Sequence, residues 1–230
     1  MDVIHAKRPD AKLTVLLQTA NARAIGDWEQ YADAIVAAYM PGQEGSRALA
    51  ELLTGKVNFS GKLSQSWPRH PEDTPLTDTP AHNAERNIGQ DENGTTVIRM
   101  TEGLFTGYRW HDKTGVPALF PFGHGISYTT FSYSDLQIKG DTVRLCVTNT
   151  GEMSGDEIVQ LYIGSAKVPS HIQMPEKQLA GYTRLRDIQP GETRKVVLQI
   201  APELLCCWDE KAPLAHRADG TKDKWVRPLG

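Results

Sequence analysis

Residues 143–163 read VRLCVTNTGEMSGDEIVQLYI, two alternating runs of apolar and polar side chains separated by turn-forming residues. Successive side chains of a β-strand point to opposite faces, so this alternation predicts strands with one buried face. The same pattern recurs in residues 129–138, 178–185 and 194–200, and a sixth or seventh strand is indicated near residues 224–229. Short strands separated by glycine-, proline- and asparagine-containing turns are typical of a β-sandwich. We therefore predict an antiparallel β-sandwich over residues 128–230.

Residues 12–55 show instead the alternation of strand and helix that is typical of an α/β sheet. Residues 13–17, LTVLL, predict a short buried strand of a parallel sheet, and residues 28–32 resemble the end of a helical crossover. Periodicity leaves residues 34–39 open between a strand and a helix. Residues 44–53 have apolar side chains at helical spacing before Gly55, which predicts a helix. Because a doubly wound sheet needs about five strands, we expect only part of such a sheet here.

Residues 69–127 are predicted to form an extended connecting segment that packs on the α/β part. Prolines punctuate this region and residues 83–96 are polar. The run 103–110, GLFTGYRW, is too aromatic for a free linker, so we expect it to be buried against a neighbour. The predicted organisation is a two-part α+β chain, with a partial α/β fragment at 1–68, the connecting segment at 69–127 and the sandwich at 128–230.

The composition excludes several classes of protein. Hydrophobic residues make up 39% of the 230 residues and charged residues 23%, which is typical of a globular protein. The apolar runs are far shorter than the ~18 residues of a membrane span. With 25 basic and 28 acidic residues, the net charge of −3 gives no electrostatic footprint for nucleic acid. Residues 1–8 lack the layout of a secretory signal, so the cytoplasm is the default compartment.

No cofactor or metal site is predicted. Residues 55–62, GKVNFSGK, have glycines spaced too widely for a phosphate-binding loop, and Leu63 stands where a hydroxyl would hold magnesium. The seven histidines lack metal-ligand spacing. Cys146, Cys206 and Cys207 are interpreted as buried or half-buried free thiols, and a redox or metal role is the alternative.

Three carboxylates stand in distinctive sequence contexts. Glu44 opens the predicted helix of residues 44–53, where a negative charge complements the helix dipole, and Glu102 and Asp112 flank the aromatic run. Glu102 and Arg109 are the candidate site residues. They form either a buried ion pair that holds the segment down or part of the rim of a cleft. A catalytic pair of carboxylates is recognised by its separation in space, which a sequence does not contain.

Several long motifs follow one another along the chain: residues 40–45 (MPGQEG), 52–55 (LLTG), 58–63 (NFSGKL), 67–68 (WP), 102–112 (EGLFTGYRWHD) and 120–131 (FPFGHGISYTTF). In sequence and in order they resemble the C-terminal part of family 3 glycoside hydrolases. Residues 155–162, 175–179 and 190–192 resemble the family's terminal fibronectin type III-like domain. Phe59 and Ser64 stand where the family usually has proline, and Ser46 where it often has a second glycine. The resemblance covers nearly the whole chain, although residues 211–230 match poorly.

The resemblance implies a retaining β-glycosidase of the β-glucosidase type, in which two carboxyl groups act through a covalent glycosyl-enzyme. In the family the nucleophile lies on a preceding (β/α)8 barrel of roughly 250 residues. The acid/base lies upstream of the strand that matches residues 13–17. Neither segment is in this sequence, so no catalytic residue is assigned, and the chain alone is expected to be inactive without its barrel, supplied in cis or in trans. Two alternatives remain: a non-catalytic module that docks on a separately encoded barrel, and a free-standing sandwich that binds carbohydrate or protein.

Overall fold

The computed structural model describes residues 2–75, 88–98, 102–165, 168, 170–216 and 222–226. The chain divides into a first unit of residues 1–57 and 61–126 and a second unit of residues 58–60 and 127–230. The helices are α1 (Asp2–Lys7), α2 (Gly45–Leu53) and α3 (Tyr108–Thr114), with 3-10 turns at Glu29–Tyr31, Pro71–Asp73 and Pro202–Leu205. The strands of the first unit are β1 (Thr14–Leu17), β2 (Ala34–Ala37), β3 (Ile88–Gln90) and β4 (Thr96–Ile98).

The first unit contains a parallel pair of strands. β1 and β2 run side by side in register from Thr14–Ala34 to Leu17–Ala37, so the undecided segment 34–39 contains a strand. The side chains of β1 alternate between exposed and half-buried, so β1 is less buried than its apolar sequence predicts. The reason is that the described sheet has only these two strands. The predicted helical crossover is a single 3-10 turn at Glu29–Tyr31.

The helix predicted at residues 44–53 is α2, which begins at Gly45 and buries Leu49. It stops at the predicted position, where Gly55 adopts a φ of 74°, a left-handed conformation that favours glycine. Gly45 is required at the start, because a Cβ there would lie 2.6 Å from Cβ of Pro41. The Pro41–Gly45 motif is therefore a tight entry into α2.

Two distant segments of the first unit are joined by backbone hydrogen bonds and by an isolated antiparallel bridge between Trp67 and Phe120. Leu63 N–H donates to the carbonyl of His124, and Gly123 N–H donates to the carbonyl of Leu63, both at 2.7 Å. Further along, the N–H of Trp67 donates to the carbonyl of Phe120 at 2.8 Å, and Trp67 is almost completely buried. This pairing joins residues 63–67, just before the segment predicted to be connecting and extended, to residues 119–124 near the end of that segment. Residues 76–87 and 99–101 of the segment lie outside the described residues.

The second unit is an antiparallel β-sandwich. Its strands are β5 (Phe131–Lys139), β6 (Thr142–Asn149), β7 (Gly155–Gly164), β8 (Lys177–Ile188), β9 (Thr193–Gln199), β10 (Cys207–Trp208), β11 (Ala215–His216), β12 (Lys222–Asp223) and β13 (Trp225–Val226). One sheet has the order β5-β6-β9 and the other pairs β7 with β8. Inward-facing side chains from both sheets form the larger core cluster, made of Val147, Val159, Ile188, Val196 and Leu198. A second cluster contains Val143, Ala180 and Ile200. The predicted fold class, a partial α/β fragment followed by a fibronectin type III-like sandwich, is confirmed.

All five strands predicted for the sandwich are present, with differences at their ends. β7 begins at Gly155, inside the segment 154–156 that has a turn-forming sequence. Near residues 224–229 the structure has β13, whereas residues 227–230 lie outside the described part. β5 pairs only with β6 in its sheet, and its register shifts between Ser134 and Gln137.

Candidate functional site

Glu102 lies at the start of a tight turn, where its carbonyl accepts a hydrogen bond from Phe105 N–H at 3.1 Å. The residue is only 4% exposed. Its Oε2 atom is buried and has no hydrogen-bond partner among the described residues. A buried carboxylate oxygen without a donor is energetically costly. This oxygen is therefore placed to accept a hydrogen bond from a donor outside the described residues.

Arg109 does not pair with Glu102, although both residues are described. Its guanidinium carbon lies 5.8 Å from the ring centroid of Tyr108, a cation–π contact. A spacing of seven residues places two side chains on one face only where a helix is continuous. Here the helix α3 begins at Tyr108, after the turn that contains Glu102. The first of the two sequence interpretations, a buried ion pair, is thus not found.

The aromatic run is anchored through α3. Gly107 and Gly115 bracket this helix with φ values of 57° and 69°. Within it, the indole Nε1 of Trp110 donates to the carbonyl of Asp73 at 3.0 Å. The ring of buried His111 donates from Nδ1 to the carbonyl of Val116 at 2.9 Å, because a carbonyl oxygen can only accept.

The burial predicted for residues 103–110 is only partly found. Phe105 is buried under the ammonium group of Lys113, which lies 3.9 Å from its ring centroid. Leu104 remains exposed. The predicted packing is therefore provided by selected side chains of the run.

The other candidate carboxylates occupy separate positions. Glu44 is the exposed N-cap residue of α2 and makes no side-chain capping hydrogen bond, so its contribution there is a negative charge near the positive end of the helix dipole. Asp112 lies half-buried on α3. The structure places Asp112 and Glu102 on one continuous segment of chain and Glu44 on a different element.

The described residues contain no group of three or more His, Cys, Asp or Glu side chains that could hold a metal ion. The three cysteines are free, and burial raises the pKa of the Cys207 thiol. A raised pKa disfavours the reactive thiolate form. In the part of the chain that the structure describes, no helix is both long and apolar enough to cross a membrane.

The sandwich unit has a polar centre at Asn149 that the sequence interpretation missed. Asn149 is completely buried, and its Oδ1 accepts from Thr129 Oγ1 at 2.7 Å and from Gly151 N–H at 3.0 Å. Its Nδ2 donates to the carbonyls of Met153 and Ile188 at 2.9 and 2.8 Å. The only sequence signal was an asparagine in a turn, Asn149-Thr150-Gly151, which predicts local geometry and not these distant partners.

Comparison with known proteins gives matches over both units. Residues 3–128 match the glycosyl hydrolase family 3 C-terminal domain, and residues 157–227 match the fibronectin type III-like domain. The chain is 36% identical over 217 residues to a β-glucosidase of Rhizobium radiobacter, covering 91% of this chain and 25% of that protein. It is 38% identical over 182 residues to the thermostable β-glucosidase B of Acetivibrio thermocellus, covering 75% of this chain and 22% of that one.

The fold is similar to that of solved structures. The structure of β-glucosidase 3B from Thermotoga neapolitana in complex with glucose aligns with a TM-score of 0.77 and 33% identity, covering 89% of this chain and 28% of that one. A β-glucosidase of Bifidobacterium adolescentis aligns with a TM-score of 0.78 and 28% identity. The chain spans about a quarter of the length of the curated relatives it matches.

Proposed function

The chain belongs to glycosyl hydrolase family 3, and from this we propose that it is the C-terminal portion of a retaining β-glycosidase of the β-glucosidase type. The observation that carries the proposal is the similarity to proteins named as β-glucosidases, which extends over both units in one run. In the β-glucosidase of Rhizobium radiobacter the matching region covers 91% of this chain. A match to the sandwich alone would not favour a glycosidase, because such domains serve many functions.

The proposed role of these residues is that of a scaffold. A retaining glycosidase needs two carboxyl groups about 5 to 5.5 Å apart, one as nucleophile and one as acid/base. We assign neither of them to this chain. The proposal is that a (β/α)8 barrel, in the same polypeptide or in a second one, provides the nucleophile, and that a segment before β1 provides the acid/base. The 230 residues alone are then inactive.

Glu102 is proposed to lie where this scaffold meets the rest of the enzyme or its sugar. Its support is the buried Oε2 atom without a partner among the described residues. A carboxylate oxygen in that state accepts a hydrogen bond from any hydroxyl or N–H group that reaches it. Arg109, stacked on Tyr108, is proposed as its neighbour on the same rim.

A chimera tests the proposal. The region of the Rhizobium radiobacter β-glucosidase that matches this chain is removed and replaced by residues 1–230. We expect no hydrolysis of an aryl β-glucoside by this chain or by the truncated relative, and hydrolysis by the chimera. Turnover by residues 1–230 alone, abolished by substituting Glu44 or Glu102, would place the chemistry within this chain and contradict the proposal.

Two further arms sharpen the result. Mixing the truncated relative with the separate 230-residue chain tests the alternative of a module that docks on a separately encoded barrel, because that alternative requires activity in trans. In the active chimera, Glu102→Gln keeps the shape of the side chain and removes its charge. We expect it to lower kcat/KM, while Glu152→Gln, an exposed glutamate of the sandwich unit, leaves kcat/KM unchanged.

A further inference from the structure

We propose that the sandwich carries a binding notch for the tripeptide Asn58-Phe59-Ser60, and that Asn58 is the residue that fixes the tripeptide there. These three residues group with the second unit, although residues 57 and 61 on either side group with the first. The sandwich domain would then consist of residues 127–230 together with a short segment taken from far earlier in the chain. The proposal is independent of hydrolytic activity.

The side chain of Asn58 uses both ends of its amide. Its Oδ1 accepts hydrogen bonds from Tyr128 N–H at 2.8 Å and from Ser127 Oγ at 2.9 Å. Its Nδ2 donates to the carbonyl of Ser154 at 3.0 Å. Asn58 is 9% exposed. An amide offers two donors and an acceptor oxygen with two lone pairs, so three of its four positions are satisfied in a site where water has little access.

The other two residues of the tripeptide also contact the sandwich. The ring of Phe59 packs edge-to-face on Tyr128 with 5.4 Å between centroids. The hydroxyl of Ser60 accepts a hydrogen bond from Asp156 N–H at 3.3 Å. Each position of the tripeptide therefore makes a specific interaction, which distinguishes a bound segment from a linker that passes over a surface.

The notch is shaped to admit the Asn58 amide. A Cβ on Gly155 would lie 2.6 Å from Nδ2 of Asn58, closer than side-chain atoms approach one another. The Asn58 amide makes three hydrogen bonds, so moving it away from a Cβ at position 155 would break at least one of them. A glycine at position 155, in the first position of β7, is therefore part of the notch.

Asn58 and Asn149 hold the same two loops. Ser127, which donates to Asn58, also accepts from Thr129 N–H, and Thr129 in turn donates to Asn149. On the other loop, Asn149 donates to the carbonyl of Met153 and Asn58 to that of the adjacent Ser154. The partners of Asn58 lie 69, 70 and 96 residues away in sequence. Local structure does not produce such contacts, so the tripeptide is a structural component of the loops that precede β5 and β7.

Hydrogen exchange measured by mass spectrometry on the full chain tests the proposal. We expect Asn58→Ala to raise amide exchange at least tenfold in peptides that cover residues 127–131 and 153–157, and to leave α2 at wild-type rates. Asn58→Asp keeps an acceptor for Tyr128 N–H, so the Tyr128 amide should stay protected while residues 153–157 exchange faster. Val57→Ala, at an exposed neighbour, is the matched control and should change neither region.

The reciprocal substitution keeps the test decisive if Asn58→Ala does not fold. Gly155→Ala should raise exchange at residues 58–60, whereas Gly164→Ala, in the same strand with its nearest neighbour 3.8 Å from the added Cβ, should not. Ser127→Ala removes one hydroxyl donor and should raise exchange about threefold at Tyr128. Wild-type rates at residues 127–131 and 153–157 in Asn58→Ala, or at 58–60 in Gly155→Ala, would overturn the proposal.

Discussion

Replacing Asn149 by alanine should be among the most damaging single substitutions in the sandwich. The side chain is completely buried and makes four hydrogen bonds, two as acceptor and two as donor. Alanine removes all four and leaves the hydroxyl of Thr129, the N–H of Gly151 and two carbonyl groups without their partner. The lost amide also leaves a small void, because the shorter side chain does not fill the space.

The expected cost follows from how many of these groups water can reach. The bonds to Thr129 Oγ1 and to the Ile188 carbonyl are fully buried, whereas those to Gly151 and Met153 are partly buried. An unsatisfied buried group costs about 1–3 kcal/mol. Two such groups predict a loss of about 2–6 kcal/mol, to which the other two add smaller terms. This is a large share of the 5–15 kcal/mol that is typical of a domain.

Urea denaturation followed by circular dichroism measures this loss, and hydrogen exchange in β6 and β8 locates it. Thr150→Ala is the matched control, because its exposed hydroxyl bonds only to that of Thr130 among the contacts described, at 2.9 Å, and its loss should cost about 0.5 kcal/mol or less. Asn149→Asp should be at least as damaging as alanine at neutral pH, since a carboxylate oxygen would face two carbonyl oxygens. A loss below 1 kcal/mol for Asn149→Ala, or an equal loss for Thr150→Ala, would refute the reasoning.

Three further predictions concern packing, backbone and charge. Ile188→Ala, in the core, should cost about 2–5 kcal/mol in urea denaturation, and Ile138→Ala, an exposed residue of β5, about 0.5 kcal/mol or less. Gly125→Ala should lower the melting temperature of the first unit, because the added Cβ would clash with the Gly61 carbonyl oxygen, whereas Gly61→Ala meets nothing within 4 Å and should be neutral. The hydrogen bond from His171 Nε2, at 2.8 Å, lowers the pKa of Asp209, so its stabilisation is present above the unfolded-state pKa and is lost as pH falls through the folded value. Asp209→Asn should therefore flatten the decline of thermal stability below about pH 4.

The sandwich could be predicted from the sequence because the alternation of buried and exposed side chains is visible among neighbouring residues. Each of β6 to β9 has one face in the core, which imposes the alternation seen in residues such as Val143, Leu145 and Val147, whereas β5 is exposed along nearly all of its length. Their ends were less predictable, and β7 starts at Gly155, where the sequence favours a turn. There the backbone conformation is decided by pairing with β8 and by the close approach of Asn58, neither of which is visible in neighbouring residues.

The first unit was harder to predict because tertiary contacts decide its elements. Residues 34–39 fit a strand or a helix equally well by periodicity, and the pairing of β2 with β1 selects the strand. Helix α3 has an aromatic-rich sequence of low helix propensity, and no helix was predicted there. The helix begins and ends at two glycines with positive φ. A glycine permits this conformation, but the presence of a glycine in the sequence does not predict it.

Glu102 and Arg109 could be named as candidates from the sequence, but their contacts could not. The structure buries Glu102, which stands beside the aromatic run. Its relation to Arg109 depended on whether the intervening chain was helical, and spacing alone does not contain that information. The contacts of Asn58 could not be predicted from the sequence either, because their partners lie 69 to 96 residues away along the chain.

The irregularity in β5 has a consequence for how copies of this protein behave in concentrated solution. β5 forms an edge of its described sheet and exposes Tyr133, Leu136 and Ile138, a composition that invites edge-to-edge addition of another chain. The register shift between Ser134 and Gln137 coincides with a φ of 55° at Asp135 and interrupts the row of N–H and C=O groups that an incoming strand would need. The bulge therefore disfavours edge-to-edge association of copies of this chain, and it lies in the part of β5 where the apolar side chains are exposed.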